Sequence, residues 1–207
     1  MELAEFIALH GPALEANETR HNLILGLLEH ATDEPDHGYL LWSLDVPGAC
    51  ALKTPLPAHG IVLGELNAAQ CAELAQITAG LDYPSVTGHD DASRWFVTAA
   101  EALGMRFQAK AHAHRIHALS RQPSRPDVPG TARLATLDDA DLVFAWISAF
   151  RDEATPEDAP PLRAYTDDAI LKDRLWLWHV NGAPVSMAGL GRRLKRCISI
   201  AAVYTPP

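Results

Sequence analysis

The end of the chain, residues 174–207, decides the fold: RLWLWHVNGAPVSMAGLGRRLKRCISIAAVYTPP. Two strand-like runs flank the pair Asn181-Gly182, which is the favoured two-residue hairpin turn because both residues tolerate positive φ. A further run over residues 198–203 is apolar and β-branched, and the two prolines near its end exclude both a helix and ladder donation. The sequence therefore predicts a hairpin followed by a closing strand.

The segment before this hairpin is expected to form a strand and two helices. Residues 132–135 have the pattern of a strand, and Thr136 is placed to cap the helix that follows. A short helix is predicted around residues 167–172, after a loop rich in proline and acidic residues. The first of these helices has an apolar face at helical spacing, formed by Leu142, Val143, Trp146, Ile147 and Phe150.

A linker is predicted at residues 120–130, SRQPSRPDVPG, which hold three prolines, a terminal glycine and no apolar periodicity. It separates a first lobe, residues 1–119, from a second, residues 131–207. A chain of 207 residues is long enough to bury the cores of two small domains.

The first lobe has the pattern of helices that alternate with strands. Its two initial amphipathic helices are expected to be interrupted near Gly11-Pro12 and near Asn17. Asn67, with Gln70 three places on, has the spacing of a capping box. Together the two lobes indicate an α/β fold with mixed sheets, of the α+β type. In the first lobe strands are expected at residues 39–44, 49–53, 60–63, 85–87 and 105–119, and helices at residues 67–80 and 90–103.

The element order of residues 131–207 resembles the front half of a GNAT-type N-acetyltransferase: a strand, two helices and an antiparallel three-stranded meander that ends in V-Y-T-P-P. The first lobe follows the family's order more loosely. The resemblance implies a GNAT-like fold in two lobes, acetyl-CoA as co-substrate and a small-molecule amine as acceptor. It also implies that acetyl-CoA binds backbone groups of Ala202, Val203, Tyr204 and Thr205. An N–H near Val203 would then polarise the thioester carbonyl, while the catalytic residues stay unidentified.

The family's next segment is a loop of type Q/R-x-x-G-x-G/A, whose backbone N–H groups hold the pyrophosphate. No such pattern occurs in this sequence, which ends where the resemblance places the loop. In the first lobe the corresponding junction, GIVLGELNAAQ, places Glu65 beside a helix N-terminus, where a carboxylate repels a pyrophosphate. We therefore expect a degenerate first lobe, a second lobe that is incomplete and truncated, and acetyl transfer that is lost or impaired. The alternative is a non-catalytic GNAT-like module that binds a partner.

The closing strand is expected to lie at the edge of its sheet. An open edge made of apolar, β-branched residues pairs readily with another chain. We therefore expect a homodimer, or strand exchange, that covers residues 197–205.

Histidines are the most conspicuous candidates for chemistry. His112, His114 and His117 lie in AKAHAHRIHAL, and two of them would share one face of a strand, as metal ligands can. No carboxylate or cysteine stands nearby at ligand spacing, so solvated strand histidines are the preferred interpretation and no metal is predicted. His179 is either a general base in a cleft or an ordinary strand residue. Tyr204 is expected either to line an acyl pocket or to pack in the core.

Two further groups of residues admit a simple structural interpretation. The turn GRRLKR either attracts the phosphates of coenzyme A or an acidic substrate, or is a basic turn that favours solubility. The tryptophans are expected to serve core and cross-strand packing rather than ligand binding. The basic residues are Arg192, Arg193, Lys195 and Arg196, and the tryptophans are Trp146, Trp176 and Trp178.

Charge and composition restrict the partners and the compartment. The chain has 17 basic and 26 acidic residues, for a net charge of -9, which argues against nucleic-acid binding by the chain as a whole. Three cysteines at unrelated spacings suit a reducing cytoplasm. The N-terminal run has acidic residues where a signal peptide needs basic ones, and no apolar run reaches spanning length. We therefore expect a cytoplasmic protein with no membrane association.

Overall fold

The structure, a computed structural model, describes residues 1–33, 38–44, 46–55, 60–107, 113–124, 127–156 and 163–207. The chain divides into two compact units, Met1–Ala118 (unit 1) and Leu119–Pro207 (unit 2). Within the described residues the units hold six α-helices and two four-stranded sheets, so the fold is mixed α and β. In these same ranges no helix combines the length and the apolar character that crossing a bilayer requires.

Unit 1 begins with two helices, α1 (Leu3–Glu15) and α2 (Asn22–Asp33). The break expected near Asn17 is confirmed, but the one at Gly11-Pro12 is wrong, because α1 continues through both residues. Phe6, His10 and Leu14 are buried along one side of α1, and this packing offsets a mid-helix proline that costs roughly 3 kcal/mol. The residue before the proline is a glycine, so no Cβ clashes with the ring.

The sheet of unit 1 combines an antiparallel meander with one parallel strand. Its strands β1, β2, β3 and β4 lie side by side in chain order. The first three are antiparallel, whereas β4 runs parallel to β3, with Ile61 opposite Val86 and Val62 opposite Thr87. All four match predicted strands. Their bounds are Leu40–Ser43 for β1, Cys50–Lys53 for β2, Ile61–Leu63 for β3 and Val86–Thr87 for β4.

A helix follows each strand of the parallel pair. These helices are α3 (Ala68–Ile77) after β3 and α4 (Asp90–Ala102) after β4. The predicted capping box at the start of α3 is confirmed, since the Gln70 amide N–H donates to Asn67 Oδ1 at 3.0 Å and the Asn67 amide to Gln70 Oε1 at 3.0 Å. Buried residues of α3 and α4, among them Leu74 and Phe96, pack with those of β2 and β3 in the core of unit 1.

The long strand predicted at residues 105–119 is not observed. The described parts of that range, 105–107 and 113–119, contain no strand, and His112 lies outside the described residues. Phe107 still packs against Tyr83, with ring centroids 6.4 Å apart. Farther along, Leu119 is 78% exposed, and alanine and charged residues of weak β propensity surround it.

Unit 2 forms an antiparallel sheet with helices between its first two strands. The sheet order is β5-β6-β7-β8, and each neighbouring pair is antiparallel. Thr136 is the N-cap of a 3₁₀ turn, Leu137–Asp139, that leads directly into the first helix. The bounds are Thr131–Leu134 for β5, Ala140–Ala154 for α5, Arg163–Leu171 for α6, Leu175–Val180 for β6, Ala183–Arg193 for β7 and Ile198–Tyr204 for β8.

The hairpin between β6 and β7 has the predicted turn. Asn181 and Gly182 both adopt positive φ, 51° and 81° respectively. One face of this sheet packs on α5, and Leu177, Met187 and Val143 form part of the resulting core. The predicted apolar face of α5 is therefore confirmed.

The tryptophans of unit 2 differ in their environment. Trp146 is buried in the core, as predicted, whereas Trp176 is 38% exposed and its backbone pairs with Ala188 of the neighbouring strand. Trp176 therefore lies outside the core, on the opposite side of the strand from the buried Leu175 and Leu177, and its predicted cross-strand packing stays a prediction.

Candidate functional site

The strand end predicted to bind acetyl-CoA contains a β-bulge. Gly189 pairs with Ala201 and Met187 with Tyr204, so two residues of β8, Ala202 and Val203, oppose a single residue of β7. Ala202 adopts a left-handed conformation, with φ 49°. A bulge of this kind removes a backbone group from the ladder and re-aims the neighbouring side chains. The Val203 side chain is 60% exposed.

Tyr204 is engaged in the core of unit 2. It is buried, and its hydroxyl donates to Glu153 Oε1 at 2.7 Å. Its ring meets Phe150 edge-on, with centroids 6.5 Å apart. The hydrogen bond to Glu153 raises the pKa of Tyr204, so its hydroxyl stays protonated at neutral pH. Of the two roles expected for Tyr204, packing is the one observed.

A second candidate site is a cleft of about 390 Å³ in unit 1, here called the unit 1 cleft. It lies where β3 and β4 end and where α3 and α4 begin. The carboxyl ends of adjacent parallel strands are the usual position of ligand sites in such sheets. Its polar and aromatic lining includes Arg20, Glu65, Asn67, Gln70, His89 and Trp95.

The turn after β3 brings Glu65 into this cleft. Gly64 passes so close to the preceding hairpin that a Cβ there would lie 2.6 Å from the carbonyl oxygen of Gly48. The Glu65 amide donates to that same carbonyl at 2.9 Å. Glycine at position 64 thus permits the tight backbone approach that fixes the direction of Glu65.

Glu65 is held by an arginine and a histidine. Arg20 Nε donates to Glu65 Oε1 at 2.6 Å and Arg20 Nη2 to Oε2 at 3.2 Å, while His21 Nε2 lies 3.0 Å from Oε1. Partial burial raises the pKa of Glu65, but the hydrogen bond and charge of Arg20 outweigh it, so the net shift is downward. Glu65 is therefore a carboxylate at neutral pH.

Two histidines flank this carboxylate. His21 is buried, and its ring stands edge-on to that of His89, with centroids 5.7 Å apart. Burial lowers the pKa of both side chains, so both imidazoles are neutral near pH 7. His89 is the N-cap residue of α4, and its carbonyl accepts a hydrogen bond from the Ser93 amide at 2.8 Å.

The start of α3 has little capacity left for a phosphate. Asn67 and Gln70 cap each other there, and Glu65 adds a negative charge to the same cleft. A helix N-terminus binds anions through free N–H groups and a positive field. The capping box occupies N–H groups at the start of α3, and the Glu65 carboxylate reduces the positive field there.

Among the described residues, His114, His117 and His179 do not assemble into a metal-binding group. His114 and His117 are exposed in a segment without helix or strand. His179 Nδ1 lies 3.4 Å from the carbonyl oxygen of Gly182, within the hairpin. Its Nε2 is buried and has no hydrogen-bond partner among the described residues.

The basic residues near the last turn do not share one element. Arg192 and Arg193 belong to β7, whereas Lys195 and Arg196 lie in the turn itself. Leu194 and Cys197 close that turn, through the Leu194 amide that donates to the Cys197 carbonyl at 2.9 Å.

His21 and His89 were not identified from the sequence, although Glu65 was. Nothing near His21 in the chain suggests a ligand site, and His89 shows only the position before a helix. Their proximity depends on the parallel pairing of β3 with β4 and on the packing of α2, which are tertiary features.

No family model, curated protein or solved structure matches this chain significantly. Its function is therefore inferred from its own residues and their geometry. The bulge in β8 and the unit 1 cleft are the two features that support a functional inference.

Proposed function

We propose that the chain is a GNAT-type, acyl-CoA-dependent N-acyltransferase, with unit 2 contacting the acyl thioester and an amine as acceptor. The observation that carries this proposal is the bulge at Ala202 and Val203 in β8. It lies on the strand, and at the residues, where the resemblance to that family implies backbone contacts with acetyl-CoA. The order of unit 2, a strand, two helices and three antiparallel strands, supports the same proposal.

The proposed chemistry needs positioning more than a reactive side chain. An amine attacks the thioester carbonyl carbon, a C–N bond forms, the C–S bond breaks, and the thiol leaves as the amine gives up a proton. A backbone N–H released from the ladder at the bulge stabilises the oxyanion that develops on the carbonyl oxygen. Holding amine and thioester in line supplies a large part of the remaining rate enhancement.

Unit 1 is the degenerate partner in this proposal. Its two helices, three antiparallel strands, helix and parallel strand follow a related order. Glu65 and the capping box of Asn67 and Gln70 occupy the place where a pyrophosphate would bind. Coenzyme A binding is therefore proposed for unit 2 and not for unit 1.

The proposal is tested by titrating the 207-residue chain with acetyl-CoA and with S-acetylpantetheine in a calorimeter. The contacts proposed here are made to the pantetheine and the thioester, so we expect both compounds to bind with affinities within about tenfold of each other. The proposal would be overturned if neither acetyl-CoA nor S-acetylpantetheine bound. Thiol release with a panel of amines then separates an acyltransferase from a module that only binds the thioester.

Two substitutions at the bulge sharpen this test. Val203→Pro removes one backbone N–H and also disfavours the left-handed conformation of Ala202, so it is expected to weaken acetyl-CoA binding at least about tenfold. Ala202→Gly is the matched control, because glycine adopts the left-handed conformation of residue 202 without strain. Equal affinities in the two variants would exclude the bulge as the thioester contact.

A further inference from the structure

We propose that His21, Glu65 and His89 form a binding site for a divalent transition-metal ion, preferentially Zn²⁺, at the edge of the unit 1 cleft, which Glu65 and His89 line. The proposal is independent of acyl transfer, because all three residues belong to unit 1. It rests on the geometry of the three side chains, on the chemistry of their donor atoms and on the elements that hold them.

The three side chains already lie near coordination distance. One ligand atom from each can be chosen so that all three lie within 4.8 Å of one another. Tetrahedral bonds of about 2.1 Å place ligand atoms about 3.4 Å apart. Closing the site thus requires side-chain shifts of about 1 Å, within the reach of small rotations about side-chain bonds.

The donor set selects the class of metal. Two imidazole nitrogens and one carboxylate oxygen suit Zn²⁺, Co²⁺ and Ni²⁺, whereas Mg²⁺ and Ca²⁺ prefer oxygen ligands throughout. Two histidines and a glutamate also form a ligand set found in catalytic zinc sites, where a fourth position stays open. Here that position would face the cleft, which is large enough to admit a water molecule or a small ligand.

Three separate elements fix the ligands. The His21 carbonyl accepts from the Leu25 amide at 3.0 Å, which ties this residue to the start of α2. Glu65 follows β3, and His89 begins α4. Ligands held by the backbone of a packed unit lose little conformational entropy when a metal binds.

Arg20 is compatible with the bound state. It contacts both oxygens of Glu65, through Nε at 2.6 Å and Nη2 at 3.2 Å. A metal on Oε1 would replace the Arg20 Nε and His21 Nε2 contacts to that oxygen, while Arg20 Nη2 keeps its hydrogen bond to Oε2. Carboxylates that bind metals are themselves hydrogen-bonded by outer groups, and Arg20 Nη2 supplies such a bond to Oε2.

The site is tested by titrating the 207-residue chain with Zn²⁺ and with Co²⁺. We expect one ion to bind per chain, the Co²⁺ form to absorb as a four- or five-coordinate complex, and no charge-transfer band from a thiolate. Glu65→Gln and His89→Gln are each expected to weaken Zn²⁺ binding at least about tenfold. The unfolding midpoint should rise with Zn²⁺ for the natural chain and rise much less for the variants.

The control is a triple variant, His112→Gln, His114→Gln, His117→Gln, which replaces the histidines of the other histidine-rich segment. It is expected to bind Zn²⁺ with the affinity of the natural chain. Loss of binding in this control would overturn the proposal, as would unchanged affinity in both site variants. Should Glu65→Gln fail to fold because it loses the ion pair with Arg20, His89→Gln alone decides.

Discussion

His10 shows how a single buried histidine can couple the stability of unit 1 to pH. It is fully buried, its Nδ1 accepts from the Gly48 amide at 3.1 Å, and its Nε2 lies 2.9 Å from Ser43 Oγ. Since Nδ1 is an acceptor, Nε2 carries the proton and donates to the serine. Burial lowers the pKa of His10 below its usual value, which means that folding requires the neutral ring.

The sign of the pH dependence follows from this shift. The unfolded chain takes up a proton at an ordinary histidine pKa of about 6.5, and folded His10 does so only at lower pH. We expect the free energy of unfolding to be highest above about pH 7 and to fall as the pH drops below about 6.5. His10→Gln keeps a donor toward Ser43 and removes the titration, so urea unfolding of this variant should show a smaller slope against pH.

His21 and His89 contribute to the same trend, since burial lowers the pKa of each. Both histidines are present in the natural chain and in His10→Gln. The difference between the pH dependences of the unfolding free energy of these two proteins therefore reports His10 alone. Identical slopes would show that His10 does not titrate on unfolding in this range.

At the scale of elements, the junction between β5 and α5 depends on one carboxylate. Asp139 accepts from Arg133 Nη1 at 2.6 Å, from Nη2 at 2.8 Å and from the Thr136 amide at 2.8 Å. Asp139→Asn should lower the stability of unit 2 by about 1 to 2 kcal/mol, because it weakens both the ion pair and the cap. Asp138→Asn is the matched control, since it makes the same charge change on an exposed neighbour.

The same contact predicts sensitivity to acid. The hydrogen bonds from Arg133, aided by those from Thr136, hold the pKa of Asp139 well below its usual range. A depressed carboxyl pKa stabilises the fold above about pH 4 and loses this effect as the pH falls below that value. In thermal unfolding, the natural chain and Asp139→Asn should therefore converge at low pH. A difference that stayed constant down to about pH 2 would assign the effect to packing instead.

Elements encoded by neighbouring residues could be predicted from the sequence. The Asn181-Gly182 turn and the cap of Asn67 and Gln70 depend on local backbone chemistry, and both were predicted correctly. The continuation of α1 through Pro12 depends on burial against other elements. Glu65 could be predicted as a notable residue because it precedes a helix start in the sequence. The histidines that lie beside it could not, because only tertiary packing brings them there.

At the scale of the whole molecule, an apolar strand edge and a large net charge act in opposite directions. Among the described residues β8 pairs only with β7, and its side chains Ile198, Ile200 and Val203 are 41%, 61% and 60% exposed. An edge of this composition favours pairing with another chain. The net charge of -9 opposes association of identical chains, and salt screens that repulsion.

Self-association, which the predicted homodimer requires, should therefore increase with salt and depend on β8. We expect Ile200→Lys to reduce the weight-average mass in sedimentation equilibrium at about 0.5 M salt, where the Debye length is only about 4 Å. Leu171→Lys is the control, because Leu171 is 68% exposed in the same unit but belongs to α6. Both variants change the net charge equally, so a purely electrostatic effect would change the weight-average mass of both by the same amount. A selective effect of Ile200→Lys locates the association at the edge strand, and equal behaviour of the two variants would exclude it.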